Sequence, residues 1–177
     1  MNALIFIIQA IGSLYLFALL LRFWLPLLQA DFRNPIAQAI LKITSPPIIP
    51  LRRLLPAIGR IDTATVLVAF AYQYLLLWII FLLQKQAPDI AALAMLSAIQ
   101  LVIMSLQLFT FAIFISIIMS WLAPGNYNPA IALVNSLSEP LLRPFRGLIP
   151  SLGGIDITPM IVIILLQASV ILIRDLM

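Results

Sequence analysis

The chain has 177 residues, 64% of them hydrophobic and 9% charged. Soluble domains carry about a quarter charged residues, and a domain this small cannot hide so much apolar surface, so the solvent this sequence implies is a bilayer. The absence of cysteine and histidine removes disulfides, thiolate nucleophiles, most zinc and haem sites and an imidazole switch. The formal charge of +4 is ten Lys and Arg against six Asp and Glu, and the basic residues are spread along the chain, a pattern of membrane topology and not of a nucleic-acid surface.

Four stretches are long and apolar enough to cross a bilayer: 3–28, 63–83, 90–123 and 157–173. The first has no basic residue before Arg22 and exceeds the core of a signal peptide, so it reads as a retained transmembrane helix. The third would reach about 51 Å as one helix, longer than a single span needs.

An internal repeat addresses that length. Residues 34–66 align without gaps on 128–160, with ten identical positions. They are Asn34/Asn128, Pro35/Pro129, Pro46/Pro140, Pro50/Pro144, Arg52/Arg146, Leu54/Leu148, Pro56/Pro150, Gly59/Gly153, Ile61/Ile155 and Asp62/Asp156. Upstream, Trp24 matches Trp121 after a three-residue difference in loop length, which puts the counterpart of the first span at 100–121. Residues 90–99 are then extra. They either lie at the membrane interface, the preferred placement, or lengthen the helix out of the bilayer. The chain therefore divides into two repeats, 1–86 and 87–177, each with two spans.

Between the spans of each repeat the pattern predicts a short helix. Asn34 and Asn128 are N-caps, each followed by a proline at the first helical position. Ile36, Ile40 and Ile43, and in the second copy Ile131, Val134 and Leu137, fall on one face. About ten residues is too short to span, so an amphipathic helix in the interface is expected, with packing against the bundle as the alternative. Pro46, Pro47, Pro50, Pro140 and Pro144 are expected to end these helices. Pro56 and Pro150 belong to the following turn, in which Gly59 and Gly153 permit tight backbone. Asp62 and Asp156 then open the next span as caps, although Thr158-Pro159 could serve instead in the second copy.

Four spans put both termini on one side. Arg22, Arg33, Lys42, Arg52, Arg53, Arg60, Arg143 and Arg146 lie on the loop side, against Lys85 and Arg174 on the other. The positive-inside rule thus places the repeated loops in the cytoplasm and the termini outside, with the repeats parallel.

The spans hold almost no ionisable group, and Arg22 is near enough to a helix end to snorkel, which argues against a proton pump. Gln9, Gln73, Gln107, Thr110 and Gln167 are expected to join helices by hydrogen bonds; the sharper alternative is an oligomeric pore. No catalytic motif or phosphate loop occurs, and no cofactor or metal site is expected. The arginines Arg52, Arg53, Arg143 and Arg146 have three readings: topological anchors, ligands for anionic lipid head groups, or ion-pair partners of Asp62 and Asp156, within or across repeats.

The doubled segments SPPIIPLRRLLPAIGRID and SEPLLRPFRGLIPSLGGIDITPM resemble the signature of the YggT family, which includes YlmG-type proteins of bacteria and plastids. The resemblance covers essentially the whole chain in its two-repeat form. It departs at Gly147, where a second arginine would match Arg53. It implies an all-α, four-span integral protein of the bacterial inner or plasma membrane. It links the chain to envelope and cell-division processes, to osmotic-stress tolerance through ion uptake, and in plastids to cytochrome complex assembly and nucleoid distribution. It supplies no catalytic residue. The expected activity is a non-enzymatic scaffold or assembly factor, with an oligomeric ion channel or ion-uptake factor as the alternative. Anionic lipids, a second copy or another membrane protein are the expected partners.

Overall fold

A computed structural model describes residues 3–122, 128–147 and 156–176. The described residues form six helices and no strand: α1 (Ala3–Leu27), α2 (Pro35–Arg52), α3 (Thr63–Leu83), α4 (Ile90–Leu122), α5 (Pro129–Arg146) and α6 (Thr158–Asp175). Of these, α1, α3, α4 and α6 are long and apolar enough to cross a membrane. Their outward faces carry large apolar side chains that water would not tolerate in such numbers, among them Leu14 at 72% exposure and Leu75 at 53%.

Several helix ends have a local cause. Asn34 Oδ1 accepts the amides of Ile36 (2.9 Å) and Ala37 (3.4 Å), and Asn128 Oδ1 that of Ala130 (2.9 Å). Proline follows each cap, where the missing amide costs nothing. Asp89 Oδ2 holds the Ala92 amide at 3.0 Å and starts α4. At the C-terminal ends of α1 and α3, Gln29 (φ 57°) and Lys85 (φ 58°) turn left-handed. The next amides, of Ala30 and Gln86, return to Leu25 and Phe81 carbonyls, a glycine-free Schellman closure.

The structure corrects two expectations. First, prolines do not end α2 or α5: both run 18 residues, with Pro46, Pro47 and Pro50 inside one and Pro140 and Pro144 inside the other. An interior proline removes one ladder bond and crowds the carbonyl four residues back. All five prolines are on exposed positions, so continuing the helix buries none of their rings. Just upstream, Thr44 Oγ1 and Ser45 Oγ also donate to the Ile40 and Leu41 carbonyls. Second, residues 90–99 are not a separate interfacial segment. They are the first turns of the 33-residue α4, about 50 Å long, and Leu93 and Ser97 on them are buried.

Tertiary contacts divide the chain into two compact units, Met1–Phe23 with Ile40–Met104 and Trp24–Ala39 with Ser105–Met177. Helices α1, α2 and α4 pass from one unit into the other, so each unit draws on both sequence repeats. In the first unit, Ile5 of α1 packs with Leu76 and Ile80 of α3, flanked by Ile8 and Tyr72. Tyr15 and Tyr72 bring their rings to 5.0 Å. Gly12 permits this approach, because a Cβ there would lie 2.6 Å from Leu76 Cδ1. In the second unit, Ile113, Leu142 and Val162 join α4, α5 and α6, and Gln167 Nε2 donates to Thr110 Oγ1 at 3.2 Å.

Each short helix buries a stripe that overlaps only in part with the apolar face read from the sequence. On α2 the buried stripe is Ala37, Ile40, Thr44 and Ile48, and Ile36 and Ile43 are exposed. On α5 it is Leu133, Leu137, Ser138 and Leu142, with Ile131 and Val134 half-buried.

Candidate functional site

The polar chemistry gathers where α2 and α5 hand the chain to the next span. Arg52, the last residue of α2, reaches ten residues ahead to Asp62. Its Nε lies 3.2 Å from Oδ2 and 3.4 Å from Oδ1, and Nη2 also donates to Oδ2. Asp62 is the N-cap of α3: Oδ1 accepts the Thr65 amide at 3.4 Å and Oδ2 the Thr65 hydroxyl at 2.5 Å. Burial alone would raise the carboxyl's pKa; the hydrogen bonds from Arg52 and Thr65 outweigh it and hold the group below its ordinary value.

The intervening loop is cinched from inside. Thr63 Oγ1 donates to the Pro56 carbonyl at 2.8 Å. Ile58 and Ile61 exchange two backbone hydrogen bonds, 3.1 and 3.0 Å, around Gly59, whose φ of 61° is the left-handed conformation a tight turn needs. Arg52–Asp62 thus works as a buckle across a loop whose two ends it joins.

The second repeat uses the same ten-residue reach with different fittings. Arg146 Nε donates to Asp156 Oδ2 at 3.0 Å, and Nη1 pairs with Glu139. The ion pairs form within each repeat. Pro159 stands where the first repeat has Thr65, so the hydroxyl and amide that hold Asp62 have no counterpart. Instead Asp156 Oδ1 accepts the Thr158 amide at 2.9 Å, and α6 begins at Thr158 with Ile157 as its formal N-cap. Asp156 is also held below its ordinary value, first by the nearby Thr158 hydroxyl, whose geometry falls short of a full hydrogen bond, and then, against slight burial, by the Thr158 amide and Arg146. Its side chain is 45% exposed against 12% for Asp62, so the two aspartates are equivalent in sequence but not in surroundings.

Arg22 is the participant sequence reasoning undervalued. It does not snorkel; it is buried, and Nη1 converges on the Leu41 carbonyl (3.0 Å), Thr44 Oγ1 (2.9 Å) and Ser45 Oγ (2.9 Å). It therefore ties the end of α1 to the middle of α2 in the first unit. The repeat register exposes the asymmetry: Arg22 corresponds to Met119, and Thr44 to Ser138, whose buried hydroxyl has no hydrogen-bond partner among the described residues. A lone in-span arginine near the end of α1, with Thr44 and Ser45 on the following helix, was the available signal.

Other candidates fall out plainly. Pro50 and Pro144 lie within helices, and Pro56 in the first loop. Pro150 and Gly153 lie outside the described residues. Arg53 and Arg143 are exposed and form no ion pair among the described residues. Asn34 does more than cap: its Nδ2 donates to the Pro129 carbonyl at 2.6 Å, so the N-terminal ends of α2 and α5 meet in the second unit. Beside them opens a cavity of about 230 Å³, lined by Asp31, Arg33, Asn34, Pro35, Pro129, Ala132, Leu133 and Ser136. No cluster of metal-ligating side chains occurs among the described residues.

A four-span helical protein with a repeated Arg–Asp buckle is the class these features define. The CCB3/YggT family model matches residues 1–83 and again 95–177, and the chain belongs to that family. It is 44% identical over 168 residues to an uncharacterized protein of Pseudomonas aeruginosa, covering 94% of this chain and 85% of that one. It is 39% identical over 166 residues to the uncharacterized protein YggT of Escherichia coli K12, covering 94% and 86%. A shorter match, 30% over 70 residues, covers 39% of this chain and 74% of the ycf19 protein of Porphyra purpurea. No solved structure matches.

Proposed function

We propose that the protein is a non-enzymatic scaffold or assembly factor of the bacterial inner membrane, serving envelope or cell-division assemblies through its two buckled loops. In this reading the loops face the cytoplasm, both termini lie outside, and α2 and α5 lie along the interface. The observation that carries it is where the charge sits. Apart from Arg22 and the Arg174-Asp175 end of α6, the spanning helices have no charged side chain, while both inter-span loops repeat an arginine–aspartate pair. Fixed loops at the ends of unadorned spans are what a docking platform needs; a transport path usually places ionisable groups at membrane depth. The exposed Ile36 and Ile43, beside the buried stripe of α2, give that helix a second apolar face suited to the head-group boundary.

The test is R52Q with R146Q, followed by crosslinking and pull-down from native membranes. Co-purified partners are expected to fall several-fold while membrane insertion is unchanged; an unchanged partner set refutes the reading. A reporter fused after Met177 checks the orientation, and activity on the cytoplasmic side refutes it. One observation favours the ion-uptake reading: Gln73 of α3 is buried, and its Oε1 has no partner among the described residues. Cation flux through liposomes that disappears in Q73L would establish it.

A further inference from the structure

We infer that the loop between α2 and α3 is an anchor for anionic phospholipid, with Arg53 and Arg60 as the head-group ligands and Leu54, Ile58 and Ile61 as the inserted apolar tip. The inference rests on the membrane placement of the loops proposed above, but needs no protein partner.

The ion pairs separate the arginines of this region into two kinds. Arg52 is committed to Asp62. Arg53 and Arg60 are exposed and have neither hydrogen bond nor ion pair among the described residues. Two unneutralised guanidinium groups on one short loop suit phosphate oxygens, which they can bind bidentately. The apolar side chains beside them are uncovered: Leu54 is 77% exposed, Ile58 71% and Ile61 45%. The Ile58–Ile61 turn holds two of these apolar residues together and ends one residue before Asp62, the cap of the spanning helix α3. The tip is thereby tied to the end of a span, the depth at which apolar side chains enter lipid and arginines reach phosphate.

The second repeat isolates the charge. The positions equivalent to Leu54, Ile58 and Ile61 are Leu148, Leu152 and Ile155, all apolar. The positions equivalent to Arg53 and Arg60 are Gly147 and Gly154. The apolar pattern is thus common to both copies, and the pair of unneutralised loop arginines belongs to the first; in the second copy Arg143, which forms no ion pair among the described residues, lies on α5.

Because the sequence contains no cysteine, I58C provides a single site for a fluorophore. The labelled protein is placed in bilayers of phosphatidylglycerol and phosphatidylcholine in equal parts, with bromine quenchers on the chains of one lipid or the other. Brominated phosphatidylglycerol is expected to quench at least several-fold more strongly, since each arginine at an anionic surface multiplies affinity about five-fold. The excess should shrink at high salt. In R53Q/R60Q the two lipids should quench equally, with the thermal midpoint unchanged because both side chains are exposed. Equal quenching in the parent arginine background, or no quenching by either lipid, overturns the inference. Partner recovery with R52Q/R146Q is a separate readout, so the scaffold reading stands or falls independently.

Discussion

Removing the Asp62 carboxylate should cost far more than removing Asp156, although the two are the same residue of the repeat. D62A loses the cap of α3, about 1 kcal/mol. It also strands the Thr65 hydroxyl, which is fully buried and would then lie unpartnered at a cost of about 1–3 kcal/mol. The pair with Arg52, whose side chain is 51% exposed, adds less than about 1 kcal/mol because water screens it. The expected total is about 2–4 kcal/mol. D156A frees the part-buried Thr158 amide, but the Thr158 hydroxyl already lacks a full hydrogen bond, the Asp156 side chain is 45% exposed and Arg146 keeps Glu139, so about 1 kcal/mol is expected. Reversible unfolding in mixed micelles of increasing SDS content measures both. T65V in the D62A background should recover part of the loss, because it removes the stranded hydroxyl. Equal costs for the two aspartates, or a D62A effect below about 1 kcal/mol, would show that the buried Thr65 contact does not hold the α3 end.

The same aspartates set a pH dependence. Both have folded-state values below the ordinary 3.8, so their contribution is full above that pH and lost as pH falls through the folded values; D62N/D156N should flatten the acid limb of a melting-midpoint profile. G12L should destabilise by about 1–3 kcal/mol by driving into Leu76, and L76A in that background should restore part of it by thermal melt. Q73L should raise stability by about 1 kcal/mol, because the buried Oε1 has no partner among the described residues; a lower midpoint would show that Gln73 has a partner worth keeping.

The Arg–Asp buckle was half legible in the sequence. The ten-residue spacing and its repetition marked Arg52 with Asp62 and Arg146 with Asp156 as candidate pairs, but pairing within or across repeats depends on how each loop folds back. Thr63 holding Pro56, and Ile58 holding Ile61, bring the first loop's ends together. The proline expectation failed for a similar reason. Intrinsic propensity argues for a break after residue 45, yet the burial of Ile48 on the stripe with Ile40 and Thr44, and the exposure of Pro46, Pro47 and Pro50, favour continuing the helix.

By itself the sequence determined the solvent, the four spanning helices, the two-repeat organisation, the asparagine caps and the Asp62 cap. These follow from local quantities: apolar length against bilayer thickness, and side-chain oxygens within two or three residues of free amides. Only the tertiary structure decided what the repeat leaves unequal. Arg22 is buried on Thr44 where the second copy has Met119 and an unpartnered Ser138, and Asp62 is enclosed where Asp156 is open. Burial and hydrogen-bond partners are set by which helices come together, and two copies of one pattern acquire different surroundings once each packs against neighbours of different sequence.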